Sequence, residues 1–173
     1  LGDMADLTRF AAEIAAREPK VHILFNNAGA SWGQSFDDFT EAGWDKVMDL
    51  NVKSVFFLTQ KLLPLLRAAA SQPSPARVIN IASINGLAPS TLETYSYSAS
   101  KAGVIMLTRQ MAKRLAGDHI LVNAIAPGPF PSQMMAATLA TAGDAIRASN
   151  PLKRIGQPED IAGVAIFLGS RAS

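Results

Sequence analysis

Arg77-Val78-Ile79-Asn80-Ile81-Ala82, preceded by the loop sequence Ser71-Gln72-Pro73-Ser74-Pro75, decides the fold of this chain. A short apolar run set off by proline and serine reads as a strand buried on both faces, the environment of a parallel sheet. Two similar runs lie on either side of it. Val21-His22-Ile23-Leu24-Phe25 ends in Asn26-Asn27-Ala28-Gly29, and the run from His119 to Ile125 ends in Ala126-Pro127-Gly128.

Helical spacing fills the stretches between. Leu7, Phe10, Ile14 and Ala15 fit one face of a helix that ends before Pro19. Thr40 is placed to cap a long helix over residues 44–70, with Trp44, Val47, Val55, Leu62 and Leu66 on its apolar face. Pro64 should kink that helix or end it early. Tyr97 to about Leu115 reads as a further helix that closes at Gly117. Pro158-Glu159-Asp160 opens a last helix running through Leu168. Helix and strand alternate throughout, which predicts an α/β layer fold around a parallel sheet with right-handed crossovers, as one domain over residues 1–173.

Bulk composition narrows the function. The chain is 49% hydrophobic and 17% charged, ordinary for a globular protein but a little low in charge, which a sheet apolar on both faces accounts for. Net charge is +2 with no Lys/Arg cluster, so no nucleic-acid partner is expected. Cysteine is absent, which excludes disulfides and thiolate metal sites and suits a reducing, cytoplasmic setting. Apolar runs stay far below the ~18 residues of a membrane span, and no signal-peptide core opens the chain.

The sharpest chemical feature is Tyr97-Ser98-Ala99-Ser100-Lys101. An offset of four in a helix puts the phenol and the ammonium on one face, one turn apart. A nearby positive charge favours phenolate over phenol, which fits a tyrosine for general acid or base work on a carbonyl or alcohol oxygen. Tyr95 lacks that offset. Ser83 stands at the end of the preceding strand, where α/β sheets place their ligands. Asn51 sits inside the long helix, a poor place for a residue that competes for backbone bonds, and either holds a kink and a water there or is one exposed polar residue. The Gly29 and Gly128 turns leave room for a ligand to approach the backbone.

In this order and register, these motifs resemble the short-chain dehydrogenase/reductase family over essentially the whole chain. They are Asn26-Asn27-Ala28-Gly29, Leu50-Asn51-Val52, Asn80-Ile81-Ala82-Ser83, Tyr97-x-x-x-Lys101, Asn123 to Gly128 and Gly156-Gln157-Pro158-Glu159-Asp160. The resemblance implies a Rossmann-type doubly wound, three-layer sheet, represented here by its strands 4–6 and their helices. It implies hydride transfer between nicotinamide and a carbonyl or alcohol carbon of a small molecule. Tyr97 is then the acid/base, and Lys101 assists it and binds the nicotinamide ribose. Ser83 orients the substrate oxygen, and Asn51 anchors a water of a proton relay. Asp3, Met4, Asn26, Ala28 and Gly29 fall on the adenosine side, and Pro127, Gly128 and Ser132 by the nicotinamide.

Ala30-Ser31-Trp32-Gly33, Gly43 to Met48 and Ala126 to Ser132, with a serine-to-tyrosine spacing of fourteen, resemble the rhamnolipid-type β-ketoacyl reductases within that family. This implies a 3-oxoacyl-type substrate and NADP or NAD, with NADP favoured. Helices 44–70 and 97–117 are those through which the family dimerises, so a homodimer or homotetramer is expected. The family's glycine-rich turn, TGxxxGxG, has no counterpart here. The expectation is therefore a portion of a longer enzyme, inactive by itself. The alternatives are a dimerising remnant without catalysis or another Rossmann-like nucleotide binder with no use for Tyr97 and Lys101.

Overall fold

Three parallel strands carry the architecture in the computed structural model, which describes residues Leu1–Ser173. The elements run α1 (Met4–Arg17), β1 (Ile23–Asn26), α2 (Glu41–Met48), α3 (Ser54–Ala69), β2 (Ala76–Ile81), α4 (Tyr95–Leu115), β3 (Ile120–Ile125), α5 (Ala136–Ser149) and α6 (Pro158–Gly169). The sheet order is β1-β2-β3, with Asn26 beside Asn80 and Val78 beside Val122. The deciding stretch is thus the central strand, buried along its first five residues.

Alternation along the strands separates two faces. Ala76, Val78, Ile120 and Val122 pack against Val55 and Leu66 of α3 and Met111 and Leu115 of α4. Ile79 points the other way and is fully buried, while α6 lies against β2 and β3. A second cluster joins Leu7 and Ala11 of α1 to Leu58 and Leu62 of α3. β1 is an edge strand, and its Ile23 and Phe25 are 43% and 41% exposed. No helix is long and apolar enough to cross a membrane.

Several sequence expectations need correction. The helix expected over 44–70 is two helices joined by a π-turn at Asp49–Lys53, with Thr40 capping the first. Asn51 lies within that turn and is buried, so it is not an exposed polar residue. Pro64 does not end α3, because Leu58, Leu62 and Leu66 stay buried across it and hold both halves in place. Nor does Gly117 supply a left-handed close: α4 passes into a 3₁₀ turn, and His119 takes the positive φ of 55°. Helix α5 had no sequence signal. Its N-cap Met135 makes no side-chain cap, and only Gly143 is buried, so neither cap nor apolar stripe announces it.

Candidate active site

Tyr97 and Lys101 lie in the first two turns of α4. The Lys101 side chain folds back towards the sheet, with Nζ 5.5 Å from the centre of the Tyr97 ring. Nζ donates to the carbonyl of Ile81 at the end of β2, 2.7 Å away. Lys101 is 5% exposed, and burial lowers its pKa to about 8. An ammonium has three N–H donors, and this one uses a single protein acceptor.

Ser83 follows β2 and is buried. Its Oγ accepts from Asn85 N at 3.2 Å, capping the 3₁₀ turn Ile84–Gly86. That turn presses on α4 at Lys101 and Ala102, where a Cβ on Gly86 would come within 2.8 Å of backbone atoms of both. Ile84 N donates to Pro127 O at 3.0 Å, and Gly128 lies beside the Ile84 side chain. The strand-end serine, the buried lysine and the Pro127-Gly128 turn therefore meet at the carboxyl ends of β2 and β3.

The turn after β1 completes the group. A Cβ on Gly29 would lie 3.4 Å from Asn51 Oδ1 and 3.7 Å from Lys101 Nζ. Asn51 clamps the next residue at both ends: its Oδ1 accepts from Ala30 N at 2.8 Å, and its Nδ2 donates to Ala30 O at 2.9 Å. Nδ2 also donates to Ser100 Oγ at 2.9 Å, and that hydroxyl donates to Tyr97 O at 2.7 Å.

Not every expected residue faces this mouth. Asn26 turns its amide into the core, donating to Thr59 Oγ1 at 3.1 Å and Asn80 Oδ1 at 2.8 Å, so its side chain is not offered to a ligand. The Asp3 carboxylate caps α1, accepting from Ala5 N and Asp6 N, and these backbone bonds hold its pKa below the usual value. Met4 packs beside Leu7 and Ala11. Ala28 is exposed, and Ser132, also exposed, accepts from Met135 N. Tyr95, two residues before Tyr97, donates to Glu93 and packs edge-on against Phe36 and Phe39.

Residues outside the expected set matter too. Asn80 links Asn26 to Thr108 on α4, its Nδ2 donating to Thr108 Oγ1 at 2.9 Å. A polar residue in the middle of an apolar strand was the available signal, because a buried amide needs partners. Gly86 carried no such sign in the sequence.

A family profile described as enoyl-(acyl carrier protein) reductase matches residues 1–173. The chain belongs to the short-chain dehydrogenase/reductase family, whose members are NAD(P)-dependent oxidoreductases. It is 46% identical to the rhamnolipids biosynthesis 3-oxoacyl-[acyl-carrier-protein] reductase of Pseudomonas aeruginosa, over 99% of this chain and 68% of that protein. It is 33% identical to the 3-oxoacyl-[acyl-carrier-protein] reductase FabG of Thermotoga maritima, over 99% and 68%. Among solved structures, the Pseudomonas aeruginosa RhlG/NADP active-site complex superposes with a TM-score of 0.93 at 46% identity, covering 99% of this chain and 68% of that one. A gluconate 5-dehydrogenase from Burkholderia cenocepacia J2315, in complex with NADP and tartrate, gives 0.90 at 30% identity, covering 99% and 66%. The chain thus spans about two thirds of the length of these relatives.

Proposed function

We propose that residues 1–173 form one catalytic unit of an NADP-dependent ketoreductase acting on a 3-oxoacyl-type ester or thioester, with Tyr97, Lys101, Ser83 and Asn51 as its catalytic group. The observation that carries this reading is the Lys101 ammonium. It is buried, one helical turn from a tyrosine, and two of its three donors have no protein acceptor. Two such donors at the mouth of a parallel sheet fit the paired hydroxyls of a nicotinamide ribose. The Gly29 and Gly128 turns fit the same molecule, since backbone without a Cβ permits close approach. NADP is favoured over NAD because the relatives' structures hold NADP.

When bound, the nicotinamide supplies the hydride. Ser83 holds the substrate oxygen by its hydroxyl, and Tyr97 delivers a proton to that oxygen as negative charge develops on it. The Lys101 ammonium stabilises the phenolate left behind. Asn51 keeps the π-turn against the Ala30 backbone and anchors the water of the proton relay. Ala28 and Gly29 meet the adenosine side, with Asp3 and Met4 at its edge and Asn26 contributing only backbone. Pro127, Gly128 and Ser132 flank the nicotinamide. A homodimer or homotetramer forms through residues 44–70 and 97–117, where α3 and α4 leave a groove lined by Phe56, Leu63, Leu107 and Met111. None of the catalytic group lines that groove.

Turnover of a β-keto thioester with NADPH by the enzyme that contains residues 1–173 tests the reading. Tyr97→Phe should lower it roughly a hundredfold or more while leaving NADPH fluorescence titrations unchanged. Wild-type turnover in that variant would overturn the assignment. A chain that dimerises yet leaves NADPH fluorescence unaltered would be the non-catalytic remnant instead.

A further inference from the structure

The Asn51 amide is one of the least exposed polar groups in the molecule, and it makes three hydrogen bonds, both of its N–H donors and one lone pair of Oδ1 being used. Two partners are the N–H and C=O of Ala30. The third is Ser100 Oγ, which is fully buried and immediately precedes Lys101. The Ser100 hydroxyl hydrogen is committed to the carbonyl of Tyr97, so it can offer Asn51 only a lone pair. This fixes which way round the amide sits. A reversed amide would set oxygen against the lone pairs of Ser100 and Ala30 O, and NH₂ against Ala30 N–H. The chain of bonds thus has one direction, Asn51 amide to Ser100 hydroxyl to Tyr97 carbonyl, and such chains strengthen one another in a dry interior.

We infer that Ser100 is a positioning residue: by orienting the Asn51 amide it clips the Gly29–Ala30 turn down over the Lys101 ammonium and ties that turn to the backbone of Tyr97. The loop after β1, the π-turn and α4 have no other shared hydrogen-bonded junction at this point. Around Lys101 Nζ stand the Ile81 carbonyl from β2, the Tyr97 ring from α4, and the Gly29 turn backed by Asn51. Tyr97 is the titratable group of these. If the turn lifts, water reaches Nζ and the burial that disfavours its charge is relaxed.

The catalytic meaning of the clip rests on the reading of Tyr97 and Lys101 given above, but its existence does not, and the test keeps the two apart. Ser100→Ala and Ser100→Cys both remove a competent hydroxyl, the thiol being a weak donor and acceptor of similar size. Ser98→Ala, on the same helix and outside the clip, is the control. Hydrogen exchange at Ala30 N–H should quicken about tenfold in both Ser100 variants, the loss of roughly one hydrogen bond, and stay at the wild-type rate in the control. The apparent pKa of Lys101, read from the pH dependence of its acylation, should move from about 8 towards the ordinary 10.5. Unchanged exchange and titration in both variants would overturn the clip. Failure of both variants to fold would also overturn it, assigning Ser100 to the stability of α4 alone. Loss of the Tyr97→Phe effect on turnover, with the exchange result intact, would instead remove the catalytic reading and leave the clip standing.

Discussion

A Cβ on Gly86 would lie 2.6 Å from the carbonyl carbon of Lys101. The turn that follows the strand-end serine therefore rests directly on the peptide of the buried lysine, with no space for a side chain between them. The nearest atoms are backbone, which cannot rotate aside. Gly86→Ala must push the Ser83 turn away from α4, or bend α4 itself. Destabilisation of about 1–3 kcal/mol is expected from such overpacking, measured by urea unfolding. Turnover should fall further than the loss of folded protein accounts for, because Ser83 and Lys101 move apart. A variant with wild-type unfolding and wild-type turnover would show that the approach is not needed.

That contact also marks the limit of what the sequence disclosed. The strands were legible because apolar runs bounded by Asn-Asn-Ala-Gly, Ser-Pro and Pro-Gly have few other readings, and each falls within two residues of its expected place. Tyr97 and Lys101 were legible because their offset is local to one helix. Gly86 was not, because its reason lies in another element fifteen residues on. The turn of Asn26 into the core was hidden for the same cause, since its partners Thr59 and Asn80 come from α3 and β2. The π-turn was visible only as a misplaced asparagine, and α5 not at all, because a helix that buries almost nothing leaves no stripe.

Asn80 is the hub of a buried polar ladder running Thr59, Asn26, Asn80, Thr108 across the sheet from α3 to α4. Asn80 itself is fully buried, so its amide has no recourse to water. Asn80→Ala leaves Asn26 with one donor bond and leaves Thr108 without its incoming N–H. A loss of about 2 kcal/mol or more is expected from groups stranded in this way. Because Asn26 and Asn80 share a bond, the double variant Asn26→Ala/Asn80→Ala should cost less than the two single losses added together, by at least about 0.5 kcal/mol. Strictly additive unfolding energies would show that the ladder is not a connected unit.

Lys101 makes stability depend on pH in a definite direction. Burial lowers its folded pKa to about 8 from the ordinary 10.5, so the fold disfavours its cation. Between those values the unfolded chain binds more protons than the folded one, and stability rises with pH wherever that holds. The penalty is fully present below about pH 8 and is relieved as pH climbs towards 10.5. Lys101→Met keeps the apolar stem and removes the charge, so it abolishes this contribution. The difference in urea midpoint between the wild type and Lys101→Met should therefore be largest, and in favour of the variant, near neutral pH, and should narrow through the alkaline range. A difference independent of pH would mean that the ammonium is as well solvated in the fold as in water. The buried, singly bonded donor on which the proposed cofactor contact depends would then not exist.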